Sequence, residues 1–441
     1  MADWIAKPTA HPIASSFCAL VKAKKSNVLL SLLNSLVYLL FPAIVALSIT
    51  PAHAQKAAVP IATPQTQLQK GEYLARAGDC ISCHQAPGGK PFAGGLRIDT
   101  PFGYMLSPNI TPDVQTGIGS WSANDFYRAL HDGINKKHQD LYPTMPYDFY
   151  TKATREDIDA IYAYLRTVPA VSNQVEVNHL DFPFNIRLSM IGWRELFFKE
   201  GTYQPNPSKS ASWNRGAYLV EGFGHCSDCH SPRDIAGGIE KKKAYTGAVI
   251  DGWFALNLTS NITTGLGTWT ADDIAKYLKT GSYKGKTAVL GPMGEVVHNS
   301  MQYMTDADLN AMAEYLKSLP PNSSLYTGRA GPDPTKIIGA KLYLDNCSGC
   351  HLSKGVGVSG VIPPLAGNPV VKAPDPANIF KVVLGGIHPR ANYIAMPAFK
   401  ARLNDQEVAE IANYVRTSWG NTAPANATPE MVAKVRKNLG N

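Results

Sequence analysis

The sequence predicts a mainly α-helical protein of three tandem domains behind an N-terminal export or anchor segment. Three observations carry that expectation. The pentapeptide Cys-x-x-Cys-His occurs three times, as Cys80-Ile-Ser-Cys83-His84, Cys226-Ser-Asp-Cys229-His230 and Cys347-Ser-Gly-Cys350-His351, at intervals of 146 and 121 residues. Each copy follows a short amphipathic stretch containing Gly and is itself followed, at a distance, by a capped helical pattern. The length of 441 residues divides into about three units of ordinary domain size.

At the N-terminus, Lys22, Lys24 and Lys25 precede an apolar run over 28–49 and then Ala52-His53-Ala54. This reads as a secretory signal, residues 1–54, cut after Ala54; the alternative is an uncleaved anchor, because a run of about 20 apolar residues spans a bilayer. The small-x-small site and Pro42 favour cleavage. No other apolar stretch in the sequence is long enough to cross a membrane. The expected order is then domain one over 66–170, a linker over 171–208, domain two over 209–320, a Pro/Gly/Ser-rich joint over 321–334, domain three over 335–420 and a solvated tail over 421–441.

Within each domain the same elements recur. Gly71-Glu-Tyr73-Leu74, Gly216-Ala-Tyr218-Leu219 and Gly339-Ala-Lys-Leu342-Tyr343 belong to helices that run into their pentapeptides. Thr154-Arg-Glu-Asp157, Thr305-Asp-Ala-Asp308 and Asn404-Asp-Gln-Glu407 are N-terminal capping patterns that open the closing helices. Domains one and two also share a long loop, with Asn109-Ile-Thr followed twelve residues on by Trp121, and Asn257-Leu-Thr followed likewise by Trp269. Both run into a helix ending at Gly133 or Gly281, which marks an internal duplication. The two Trp are expected to be core packing rather than electron relays. In the first linker, Ile186, Met190, Trp193 and Phe197 share one helical face, to be covered either by packing between domains one and two or by a partner subunit or membrane surface.

Cys-x-x-Cys-His is the attachment signature of c-type haem: two thiols add to the porphyrin vinyl groups and the adjacent His points at the iron. Half of a zinc site or a thioredoxin-like redox pair would fit one copy. Three copies leave an odd pair for zinc, and the sequence lacks the βαβ background of the redox motif. Six of the seven cysteines, Cys80, Cys83, Cys226, Cys229, Cys347 and Cys350, are thereby used, and Cys18 lies in the leader, so no pair remains for a structural disulfide. The predicted cofactors are three covalent haems c, with His84, His230 and His351 as axial ligands.

A haem that only carries electrons needs both iron faces closed, and a Met sulfur as sixth ligand raises its potential. Met145-Pro146 lies 61 residues after His84, and Met396-Pro397 lies 45 after His351. In domain two Met293 lies 63 after His230 but no Pro follows it, and Met301, Met304 and His298 compete. Met293 is preferred because Met301 and Met304 almost abut the Thr305 cap. His225 is expected at the surface or beside a propionate, and Arg233 either pairs with a propionate or is solvated.

Composition is that of an ordinary globular protein, 44% hydrophobic and 17% charged. The net charge of +8 falls to +5 without the first 54 residues, which carry four Lys and one Asp. Up to about six haem propionates would offset that surplus, so charge gives no reason to expect nucleic acid as a partner.

A helix with Gly and an aromatic, a haem motif, a long loop and a capped helix with an aromatic resemble the cytochrome c fold over nearly all of 70–420. Gly71-Glu-Tyr-Leu-Ala-Arg-Ala-Gly-Asp-Cys80, Trp213-Asn-Arg-Gly-Ala-Tyr-Leu-Val-Glu-Gly and Gly291-Pro-Met-Gly-Glu-Val-Val further resemble the cytochrome c subunits of bacterial membrane-bound dehydrogenases. That resemblance implies electron transfer from a catalytic quinoprotein, flavoprotein or molybdoprotein subunit through the haems to ubiquinone, on the periplasmic side of the cytoplasmic membrane. No clear hydrophobic C-terminal anchor of the kind some members carry is expected from residues 421–441. The rival readings are a multihaem enzyme of peroxidase or reductase type and a free-standing periplasmic electron carrier.

Overall fold

The structure, a computed structural model, describes residues 66–283, 287–322, 336–388 and 393–439. The leader with Cys18 and the body of the 321–334 joint lie outside those residues. Among the described residues no helix is long and apolar enough to cross a membrane.

The first segment contains α1 (Gln67–Ala77), α2 (Cys80–Cys83), a hairpin of β1 (Arg97–Thr100) and β2 (Gly103–Leu106), α3 (Ala123–Tyr127), α4 (Tyr147–Tyr150) and α5 (Arg155–Leu165). The linker adds β3 (Asn178–Leu180), antiparallel to β2, and α6 (Ser189–Phe197). The second segment repeats the plan as α7 (Ala211–Tyr218), α8 (Cys226–His230), β4 (Ala248–Ile250), β5 (Trp253–Ala255), α9 (Ala271–Thr280), β6 (Ser282–Tyr283), β7 (Thr287–Ala288), α10 (Pro292–Asn299) and α11 (Asp306–Ser318). The third is helical, with α12 (Lys336–Asn346), α13 (Ser348–His351), α14 (Pro369–Lys372), α15 (Ala377–Gly385), α16 (Asp405–Thr417) and α17 (Pro429–Asn438).

In each segment the first helix crosses the later capped helix, α5, α11 or α16, at a glycine. A Cβ on Gly71 would run into the Ala160 carbonyl, one on Gly216 into that of Ala311, and one on Gly339 into that of Glu410. Only hydrogen fits between backbones that close. The caps form as the sequence predicts, since Thr154, Thr305 and Asn404 accept from the backbone N–H of Asp157, Asp308 and Glu407. Asn404 and Glu407 complete the reciprocal box, whereas Asp157 and Asp308 turn their carboxylates elsewhere. Gly133 ends the π-helical turn Arg128–Asp132 that continues α3, and Gly281 ends α9, at φ 66° and 70°.

The first two segments share one continuous core, from Tyr73 and Leu74 through Tyr218 and Phe223 to Leu316. Two buried clasps cross between them in reciprocal fashion. Tyr73 donates from its hydroxyl to Asp308 at 2.6 Å and accepts from the Thr305 N–H, while Tyr218 donates to Asp157 at 2.5 Å and accepts from the Thr154 N–H. Each Asp also holds a cation of its own segment, Arg215 on Asp308 and Lys70 on Asp157. Linker helix α6 packs at the same junction. Met190 is buried beside Met105 and Tyr142, Trp193 donates to the Ala236 carbonyl at 3.2 Å, and Phe197 lies against Gly238, while Ile186 stays exposed. Packing between the first two segments therefore covers most of the face expected from the sequence. Trp269 is buried and stacks on Tyr283 at 3.7 Å, a packing role, and Trp121 is half-buried against the same core.

The third segment has its own core around Tyr343, Phe380 and Ile411. The C-terminal residues belong to it and are no solvated tail. Val432 and Val435 of α17 are buried, and Arg436 donates to Asp405 and to the carbonyls of Lys400 and Leu403. The basic composition of α17 hid its apolar seam.

Candidate metal centres

Each pentapeptide forms a short helix, α2, α8 or α13, in which the second Cys follows about one turn after the first and the His comes next. Ahead of the first two copies the chain passes through a left-handed residue, Asp79 at φ 50° and His225 at φ 33°. None of the six motif cysteines is paired in a disulfide. Burial pushes Cys80 and Cys226 up to about 12, so both stay protonated, the form that adds across a vinyl group.

The three imidazoles are held alike. His84 Nδ1 lies 2.8 Å from the Pro108 carbonyl oxygen, His230 Nδ1 2.6 Å from that of Leu256, and His351 Nδ1 3.1 Å from that of Pro363. A carbonyl only accepts, so Nδ1 carries the proton and the lone pair sits on Nε2. Burial lowers all three pKa values below that of free imidazole, against the upward pull of the carbonyls. The result is a neutral ring with a fixed tautomer and one nitrogen ready to bind a metal.

The sixth-ligand candidates lie on differently built loops. Met145 sits in a turn, its N–H donating to Tyr142 at 3.1 Å and its carbonyl accepting from Tyr147 at 2.7 Å. Met396 is pinned by two 2.9 Å backbone bonds to Ile387. Met293 opens α10 directly after Pro292. Its rivals are placed otherwise, with Met301 and Met304 inside the shared core at 3% and 1% exposure and His298 exposed. In the third segment the structure brings Cys347, Cys350, His351 and Met396 together around one apolar cavity, which Leu365, Ile379 and Phe399 also line. A slot with two thiols, an imidazole and a thioether on apolar walls fits a covalently attached porphyrin by its donor set.

The two hairpins make the first and second sites comparable. Met105 on β2 lies under Thr144, whose hydroxyl approaches its sulfur at 3.3 Å just before Met145. Trp253 on β5, at the same distance ahead of the carbonyl that holds the His, lies under Gly291 just before Pro292 and Met293. One hairpin thus supports both the His and the Met loop in each segment.

His225 is half-buried. Its ring packs edge-on to Tyr150 at 5.7 Å and near Phe149, both from the first segment. Arg233 pairs with Asp228 and donates to the Gly237 carbonyl. The carbonyls of Pro108, Leu256 and Pro363 escaped the sequence reading because backbone acceptors leave no side-chain signature. The clasp residues did leave one, since Tyr73/Tyr218 and Asp157/Asp308 recur at matching places in the duplication.

Two protein-family models match the chain: cytochrome c over residues 68–169, and cytochrome c oxidase, cbb3-type, subunit III over 336–415. The chain is 41% identical over 418 residues to the cytochrome c subunit of alcohol dehydrogenase (quinone) from Gluconobacter oxydans, covering 89% of this chain and 86% of that one. It is 39% identical to the gluconate 2-dehydrogenase cytochrome c subunit of Pantoea cypripedii, over 84% of this chain and 89% of that one. With the fructose dehydrogenase cytochrome subunit of Gluconobacter japonicus it shares 35%, over 86% and 84%. Cytochrome c domains imply covalent haem c. Identity of this order along almost the whole length makes the chain a member of the family of cytochrome c subunits of alcohol, gluconate and fructose dehydrogenases.

Proposed function

We propose that this chain is a tri-haem electron conduit of a periplasmic, membrane-bound dehydrogenase, taking electrons from a catalytic quinoprotein, flavoprotein or molybdoprotein subunit and delivering them to ubiquinone. The observation that carries the reading is the threefold imidazole held neutral by a backbone carbonyl behind a Cys-x-x-Cys pair. Covalent haems there would supply one-electron transfer at irons closed on both faces. The protein's part is to fix three His tautomers, present Met145, Met293 and Met396 opposite them, and wall the sites with apolar side chains. The names of the relatives, one of them the cytochrome c subunit of an alcohol dehydrogenase (quinone), support the partner class. Export by the 1–54 leader would place the chain where haem is attached and the partner works.

The matured subunit should carry three covalent haems by intact mass, give no turnover with alcohols, aldehydes or aldonic acids alone, and restore quinone reduction when mixed with its catalytic partner. Haem reduction by substrate in the isolated chain, free of any flavin, quinone or molybdenum subunit, would return the haem-enzyme reading to first place.

The axial assignment has its own test. Met145→Ala, Met293→Ala and Met396→Ala should each lower one midpoint potential and open one iron to carbon monoxide, because the soft sulfur favours ferrous iron. Met301→Ala and Met304→Ala should cost stability, about 2–5 kcal/mol each as buried Met truncations, and leave the potentials in place. A potential that moves with Met301 or Met304 and not with Met293 would reassign the second centre.

A further inference from the structure

The hairpin of β4 and β5 touches more than its own site. Leu256, the residue after β5, holds the ring of His230. Trp253 supports Gly291, which adopts φ 53° and ψ −140°, and a Cβ there would lie 2.6 Å from the indole. Two residues on is Met293. The four residues before Gly291, Thr287 to Leu290, line the third-segment cavity that also holds Cys347, Cys350, His351 and Met396. A single strap therefore walls the third site at one end and carries the sixth-ligand candidate of the second at the other.

The outer edge of β5 is closed from the third segment. Asn378 of α15, buried at 4% exposure, accepts from the Phe254 N–H at 2.7 Å and donates to the Phe254 carbonyl at 2.9 Å, as a neighbouring strand would. Lys381, one turn on, lies over the Trp253 ring at 5.2 Å and donates to the Asp251 carbonyl. In the first segment the corresponding edge of β2 is paired by the linker strand β3, within the chain's own connection. The duplicated hairpin has thus exchanged a linker strand for a side chain of the third segment.

We infer that Trp253 and Asn378 are positioning residues for the second centre, so that docking of the third segment helps set the axial ligation of the second. The inference rests on Met293 being the ligand. Its physical basis is that Gly291, in a positive-φ conformation natural to glycine, seats its bare Cα on the indole, and a thioether two residues on keeps its place only while that surface is held. Trp253 is that surface, and Asn378 and Lys381 hold its strand from outside.

The test is a spectroelectrochemical titration of the full-length matured protein, with carbon monoxide binding to the reduced form, using Met145→Ala, Met293→Ala and Met396→Ala to identify the three centres. Trp253→Ala should lower the potential of the centre that Met293→Ala moves and let about one iron in three take up carbon monoxide, while Trp253→Phe, which keeps a ring beneath Gly291, should stay near the parent. Asn378→Ala should move the same centre although it lies in the third segment. If Trp253→Ala matures poorly, Asn378→Ala and Lys381→Ala carry the comparison, and a second-centre potential unmoved in both would overturn the inference. So would unmoved potentials in Trp253→Ala and Asn378→Ala while Met293→Ala shifts its centre, and in that case the ligand assignment would stand. If Met293→Ala moves no centre, the assignment falls and the coupling falls with it.

Discussion

Asp308→Ala is expected to destabilise the protein by about 3–5 kcal/mol, the cost of leaving a buried charge without its partner. Asp308 and Arg215 are 3% and 4% exposed and meet through two hydrogen bonds of 2.8 Å. Removing the carboxylate strands the guanidinium in the shared core and takes away the 2.6 Å acceptor of the Tyr73 hydroxyl, which keeps its contacts with Thr305. Tyr73→Phe removes only the neutral partner and should cost about 1.5–3 kcal/mol, as for a hydrogen bond to a charged group. The shift in urea midpoint for each variant is the measurement. Equal losses for Asp308→Ala and Tyr73→Phe would mean that Arg215 finds another anion or water, and the ion pair would lose its assigned role.

The second large effect is expected at a helix crossing. Gly216→Ala pushes a methyl into the Ala311 carbonyl, backbone against backbone, where no rotamer change makes room. The two helices must part, at a cost of about 3 kcal/mol or more, the upper end for overpacking. Gly222→Ala, six residues later, is the control. Its methyl meets only the Lys152 Cβ at 3.6 Å and should be nearly neutral. Thermal unfolding followed by circular dichroism separates the two; a neutral Gly216→Ala would show that the crossing is looser than the backbone distance requires.

The reach of the sequence can be judged at these residues. The crossing glycines, the caps at Thr154, Thr305 and Asn404, and the helix ends at Gly133 and Gly281 were all legible, because each is a local rule in which one residue type answers one backbone need. Asp157 and Asp308 show where legibility stops. At the third position after a cap an acid is expected to reach back to the cap N–H, and Glu407 does so. The two aspartates instead turn to Lys70 or Arg215 and to a tyrosine across the segment boundary. A local pattern cannot report a tertiary competitor. The same holds for α17, whose charges outvoted Val432 and Val435 in the sequence, and for His225, whose neighbours Tyr150 and Phe149 come from more than 70 residues earlier. The donor set of the third cavity was readable as spacing; the carbonyls that fix the His tautomers were not.

The reciprocal Tyr–Asp clasps have a consequence for assembly. An interface in which the same patch serves both sides is isologous, the kind that closes a symmetric dimer. Here both copies of the patch lie on one polypeptide and satisfy each other, Tyr73 with Asp308 and Tyr218 with Asp157. Covalent duplication has turned what would be a concentration-dependent association into an intramolecular one of high effective concentration. Neither half of that patch is left over for another molecule, so whatever surface recruits further subunits must lie elsewhere on the chain.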